Sequence, residues 1–129
     1  MTNTTREIIH RHWELANSRR WQEFATLLAP DLYYEVPQTQ EYIETGLGYL
    51  EMFKTWPGNW IASIKQLVCD GDNAVCIIDF HVDESTMTGI SIFALREGRI
   101  SKVTDYWPAP YEPPPRATQY MQRRNPSAA

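Results

Sequence analysis

The sequence predicts one α+β domain. Helical periodicity is confined to the first half of the chain, and the second half is strand and turn. With 129 residues and 43% hydrophobic content, the chain is large enough for one core of its own. The close spacing of the strands implies consecutive antiparallel hairpins.

Thr5 to Ser18 carries an amphipathic helical pattern. Ile8, Ile9, His12, Trp13, Leu15 and Ala16 fall on one arc; Arg6, Glu7, His10, Arg11, Glu14 and Asn17 fall on the other. His12 lies near the middle of the apolar arc, the one ionisable group this helix points inward. Trp21 to Ala29 is predicted as a second, short helix ended by Pro30, because proline disfavours helix in the residue before it. Asp31 to Val36 is a strand with Leu32, Tyr34 and Val36 on one face, closed by Pro37. Gln38 to Gly46 is a polar connection containing Tyr42. Leu47 to Trp56 is a third helix, with Tyr49, Leu50 and Phe53 at helical spacing, stopped by Pro57-Gly58.

Four strands follow: Trp60 to Cys69, Asn73 to Val82, Met87 to Leu95 and Arg99 to Trp107. In the second of them Ala74, Cys76, Ile78, Phe80 and Val82 make an unbroken apolar face. Asp79 and His81 sit on the other face, as surface or interface residues. Met87 to Leu95 is apolar on both faces and needs a second cover, which motivates a homodimer. Glu97-Gly98 is the turn before the last strand. There Asp105 shares a face with Val103 and Trp107, and a carboxylate between apolar neighbours is costly to bury unless paired or used. The opposite face, Ile100, Lys102, Thr104 and Tyr106, is also mixed, so periodicity leaves open which face looks inward. Five prolines between Pro108 and Pro115 then forbid a further ladder.

A net charge of −4 and a pI of about 5.3 argue against nucleic acid or an anionic membrane as partner. No long apolar run or leader pattern is present in the sequence, so a cytoplasmic location is expected. A symmetric hairpin would pair Cys69 with Ala74 rather than with Cys76, so both cysteines are expected as free thiols. No CxxC and no His–carboxylate cluster at metal spacing occurs, and neither a metal nor another cofactor is expected.

The order of elements resembles the cone-shaped fold of nuclear transport factor 2, the ketosteroid isomerases and the SnoaL-like polyketide cyclases. RHWELANSRRWQEFATLLAPDLYYEVP looks like the isomerases' first two helices and first strand, and GRISKVTDYWP like their final strand. PQTQEYIETGLGYLEMFKTWPGNW and DYWPAPYEPPPRA look closer to a bacterial SnoaL-like branch. The resemblance implies a curved antiparallel sheet wrapped around three N-terminal helices, over residues 1–117, with a partly mobile tail over 118–129. It also turns Val103, Asp105 and Trp107 toward a pocket.

Carried over residue by residue, the isomerases' catalytic Asp falls on Val36, their oxyanion-hole Tyr on His12, and their second acid near Ser91. Ketosteroid isomerase chemistry is therefore not implied. Polyketide cyclases of this fold use an acidic residue as acid/base inside the cone. Limonene epoxide hydrolases use an Asp-Arg-Asp set, for which no Arg here stands between two inward acids. The implied cavity lies between the first helix and the sheet. His12, Tyr34, Ile78, Phe80, Ser91, Phe93, Val103, Asp105 and Trp107 line it, with Tyr42 and Trp60 at the mouth. The implied activity is that of a cofactor-free cyclase, isomerase or dehydratase acting on a small apolar or polyketide-like carbonyl compound. Asp105 removes a proton and His12 polarises the oxygen. The alternatives from other classes are a non-catalytic ligand-binding domain and a dimerisation domain of the same fold.

Overall fold

Helix α1 (Thr5–Asn17) begins at a capping box. The Thr4 hydroxyl accepts from the Glu7 N–H, and the Thr4 N–H donates to Glu7 Oε1, both at 3.1 Å. The computed structural model describes residues 3–124. In it, α1 buries the arc its periodicity predicts, including His12. Helix α2 (Trp21–Ala25) is four residues shorter than its sequence suggests. The chain leaves it to start β1 (Leu28–Val36), because Leu28 pairs with Ile100 of β6 (Arg99–Tyr106) and the Ile100 N–H donates to the Leu27 carbonyl at 2.8 Å. Pro30, which has no N–H to give, falls in the irregular register between Leu28 and Tyr33.

Strand β2 (Glu41–Ile43) folds back on β1 within what the sequence presents as a polar connection. The reversal is made by the Thr39 and Gln40 N–H groups, both donating to the Val36 carbonyl, with Gln40 in the left-handed region at φ 66°. Thr45 caps α3 (Gly46–Lys54), which packs Tyr49, Leu50 and Phe53 inward. Then come β3 (Trp60–Asp70), β4 (Asn73–Val82), β5 (Ser85–Arg96) and β6. Glu97 and Gly98, both at positive φ, make the two-residue turn between the last two strands.

The six strands form one sheet in the order β2-β1-β6-β5-β4-β3. All pairs are antiparallel except β1 with β6, so the sheet is mixed rather than wholly antiparallel. The parallel pair brings the first strand beside the last, and with it Tyr34 beside Val103. Cys69 lies opposite Ala74, as the symmetric hairpin predicts, and both cysteines are free thiols. Asp79 and His81 face outward: Asp79 lies 3.9 Å from Lys65 Nζ, and His81 Nδ1 pairs with Thr86 Oγ1 at 2.9 Å.

The helices fill the inner face of the curved sheet. Asn17 ties α1 to β3 by donating to and accepting from the Ala62 backbone, at 2.7 and 2.8 Å. Arg19 donates to the Trp60 carbonyl at 2.6 Å, with its guanidinium 3.9 Å above the Trp60 ring. The outer face carries an apolar row, Val68, Val75 and Ile92, directly opposed across three strands and each 40–54% exposed. A second row, Ile77, Ile90 and Tyr106, runs beside it.

From Trp107 onward the described chain has no helix or strand, and Tyr111 and Tyr120 are largely exposed. The end of the tail, where mobility is expected, lies outside the described residues from 125 onward. Among the described residues no helix is long and apolar enough to cross a membrane.

Candidate functional site

Asp105 is buried on β6 with both carboxylate oxygens engaged. Tyr34 donates to Oδ2 at 2.7 Å, and Ser91, its directly opposed neighbour on β5, donates to Oδ1 at 2.6 Å. Burial pushes the carboxyl up to about 6, and the hydrogen bonds from Ser91 and Tyr34 pull the other way. Among the described residues no Lys or Arg pairs with it. The Tyr34 phenol is held far above its ordinary range, first by burial and then by the Asp105 charge. Its hydroxyl hydrogen is committed to Asp105, so only oxygen lone pairs remain for another partner.

His12 is fully buried, and its Nε2 pairs with the Tyr49 hydroxyl at 2.7 Å. Trp13, Phe24, Tyr49, Phe53 and Phe93 surround the imidazole, with ring centroids 4.3–5.8 Å away. Burial pushes the imidazole down to about 3, so it is neutral across the physiological range. Its Nδ1 has no hydrogen-bond partner among the described residues. His12 and Asp105 do not bond to each other. They are linked through Tyr49 and Tyr34, whose ring centroids lie 5.3 Å apart.

The space between α1 and the sheet is packed by these buried rings. The cavity, about 460 Å³, lies instead between β1, β2, the end of α3 and the end of β6. Of the residues expected to line it, Tyr34, Tyr42 and Trp107 do so. His12, Phe80, Ser91, Phe93, Val103 and Asp105 stand outside its wall as buried interior, and so does Ile78. Trp60 is buried against Phe53 and Phe80 beneath Arg19 rather than at the mouth.

Val36, Ile43, Met52 and Trp56 complete the apolar wall, and Thr39, Gln40 and Glu41 form a polar edge. Trp56 was legible only as the residue ending a helix. Its place in the wall depends on α3 closing over β2, an element with no local signal.

Gln38 fixes Trp107 by pairing its side-chain amide with both the Trp107 N–H and the Trp107 carbonyl. The Trp107 indole lies over the bare backbone of Gly89. A Cβ there would meet Trp107 Cζ3 at 2.9 Å and Ile78 Cγ1 at 3.1 Å. The Trp56 and Trp107 rings face one another across 6.2 Å, tilted by 33°. Among the described residues no group of three or more His, Cys, Asp and Glu is placed to hold a metal ion.

Known proteins agree on the fold and differ in named chemistry. A provisionally named ketosteroid isomerase from Kribbella flavida DSM 17836 superimposes with a TM-score of 0.88 and 35% identity, over 97% of this chain and 94% of that one. A provisionally named polyketide cyclase from Sinorhizobium meliloti reaches 0.68 at 16% identity, over 77% of this chain and 93% of that one. An epoxide hydrolase of the limonene type from M. tuberculosis also reaches 0.68, at 15% identity, over 79% of this chain and 80% of that one. The last two share the fold alone. No curated protein matches the chain. The family model described as a SnoaL-like domain matches residues 9–103, and with it the six-stranded curved sheet and its helical filling are explained: the chain belongs to the SnoaL-like family.

Proposed function

We propose that the chain is a cofactor-free acid/base enzyme of the cyclase, isomerase or dehydratase kind. Its substrate is a small, largely apolar carbonyl compound held in the cavity beside Tyr34. The observation that supports this is a buried carboxylate 2.7 Å behind a tyrosine that lines the cavity, with its acidity brought to about 6. A proton leaving the carbon next to the carbonyl passes to the Tyr34 oxygen while the Tyr34 hydroxyl proton passes to Asp105. The tyrosine stays neutral throughout, which its strongly raised pKa requires. His12 belongs to this scheme only at a distance, by fixing Tyr49.

Exchange of α-protons of simple ketones such as 2-tetralone in D2O, followed by proton NMR, tests the scheme without knowledge of the natural substrate. The wild type should accelerate exchange, and Asp105→Asn and Tyr34→Phe should each lose about 10²–10⁴-fold of that acceleration. No acceleration by the wild type on any of a panel of ketones removes the enzyme and leaves a binding domain. One observation favours that alternative: neither Asp105 nor His12 opens onto the cavity.

The two outer apolar rows support a homodimer through the back of the sheet. Sedimentation at micromolar concentration should give twice the 15.0 kDa chain mass, and a clean monomer there removes the dimer. The free thiols fit a cytoplasmic place of work.

A further inference from the structure

The cavity has an electrostatic character that its apolar lining conceals. No Lys, Arg or His lines it among the described residues, and its one charged lining residue is Glu41. Glu41 accepts from the Thr39 hydroxyl at 2.6 Å and pairs with no Lys, Arg or His among the described residues. Behind Tyr34 stands Asp105, a second carboxylate with no counter-charge. Tyr34, which lines the cavity, gives its hydroxyl hydrogen to Asp105, so its oxygen keeps only lone pairs to offer. The remaining walls are the rings of Trp56, Trp107 and Tyr42, the thioether of Met52, the aliphatic Val36 and Ile43, and the polar Thr39 and Gln40. Ring faces, lone pairs and uncompensated carboxylates all attract positive charge.

We propose that the ligand of this cavity is an organic cation, an amine or quaternary ammonium seated between Trp56, Trp107 and Tyr42, with Glu41 and Asp105 as its counter-charges. This rests on the cavity being the ligand site and deepens the reaction proposed for it. Loss of an α-proton leaves negative charge on the substrate oxygen. Among the described residues no cationic side chain lines the cavity to take that charge. A substrate that carries its own ammonium brings the missing charge with it.

Cation affinity then depends on the state of Asp105. The groups facing it are Tyr34 from β1, Ser91 from β5, Tyr49 from α3 and Cys76 from β4. Glu41 of β2 acts on Tyr34 from the far side, and His12 of α1 stands beyond Tyr49. Burial brings Asp105 to about 6, so cation binding weakens as pH falls through about 6.

Choline and its uncharged carbon isostere 3,3-dimethylbutan-1-ol separate charge from shape. Titration of the full chain with each, followed by tryptophan fluorescence and calorimetry, should show choline binding about tenfold tighter at pH 7.5. That preference should shrink several-fold at pH 5, should already be reduced at pH 7.5 in Asp105→Asn with no further loss at pH 5, and should fall in Trp107→Leu. Tighter binding of the neutral isostere overturns the cationic class and leaves the cavity as a ligand site. Binding of neither, up to tens of millimolar, overturns both. A choline preference unchanged in Trp107→Leu also overturns it, since the cation would then sit elsewhere.

Discussion

Asp105→Asn should make the fold acid-sensitive over a range in which the wild type holds steady. Two buried groups with opposite shifts set this expectation. Asp105 rises from an ordinary 3.8 to about 6, so the folded chain holds its proton more tightly than the unfolded chain does. Its contribution to stability is fully present below the unfolded value and is lost as pH rises through about 6. His12 falls from an ordinary 6.5 to about 3, which is the reverse case. Its favourable neutral burial is fully present above 6.5 and is lost steadily as pH falls toward 3.

Between pH 6 and pH 4 the two slopes oppose each other at about 1 kcal/mol per pH unit each and nearly cancel. Removing the Asp105 charge leaves the His12 slope alone. The stability of Asp105→Asn relative to wild type should therefore fall by roughly 3 kcal/mol from pH 7 to pH 4, on the order of 10 °C in Tm. Surface carboxylates titrate in both proteins and drop out of the difference. Thermal unfolding at pH 7, 6, 5 and 4 is the measurement. Curves that stay parallel would show that Asp105 does not carry a raised pKa, and the proton relay through Tyr34 would lose its base.

His12→Ala should be a costly truncation on α1. The imidazole fills a space between five aromatic rings and leaves no path to solvent. Its removal opens a hole in packed interior and strips the buried Tyr49 hydroxyl of its partner. Together these cost roughly 3–5 kcal/mol at neutral pH, or more than 10 °C in Tm. A companion variant, Tyr49→Phe together with His12→Leu, removes both polar groups and restores volume, and should recover most of the loss. A His12→Ala protein that melts within two or three degrees of wild type would instead mean that His12 borders open space. It would then return as a candidate to contact the ligand.

What the sequence made legible follows from what local chemistry controls. Strand β4 ends where its alternation ends, and its inward residues are those the period predicts. The His12 arc on α1 is set by helical spacing alone, and the structure buries that arc. The misread places are those where distant chain decides. Leu27 and Leu28 carry a helical pattern, yet the ladder to Ile100 draws them out of the helix. Glu41–Ile43 is too short and polar to announce a strand, and it becomes one because β1 offers it an edge. That strand, with α3 closing over it, moves the cavity toward Trp56 and Met52 and away from His12. Asp105 was visible as a carboxylate among apolar neighbours. Its partners were not, because Ser91 reaches it through a hairpin register and Tyr34 through a parallel pairing between strands some seventy positions apart.

The bare backbone of Gly89 has a consequence for how this chamber can change over evolutionary time. The position sits under the Trp107 indole and touches no ligand, yet it decides how far that indole settles back into the sheet. A Cβ there meets the ring at 2.9 Å, so a side chain at this position forces the indole to shift and resets its distance from Trp56, leaving the lining residues themselves unaltered. The bore of the chamber is therefore adjustable by a hidden shim. A lineage can trade one breadth of ligand for another by a single methyl group behind the wall, without surrendering Tyr34, Asp105 or Ser91.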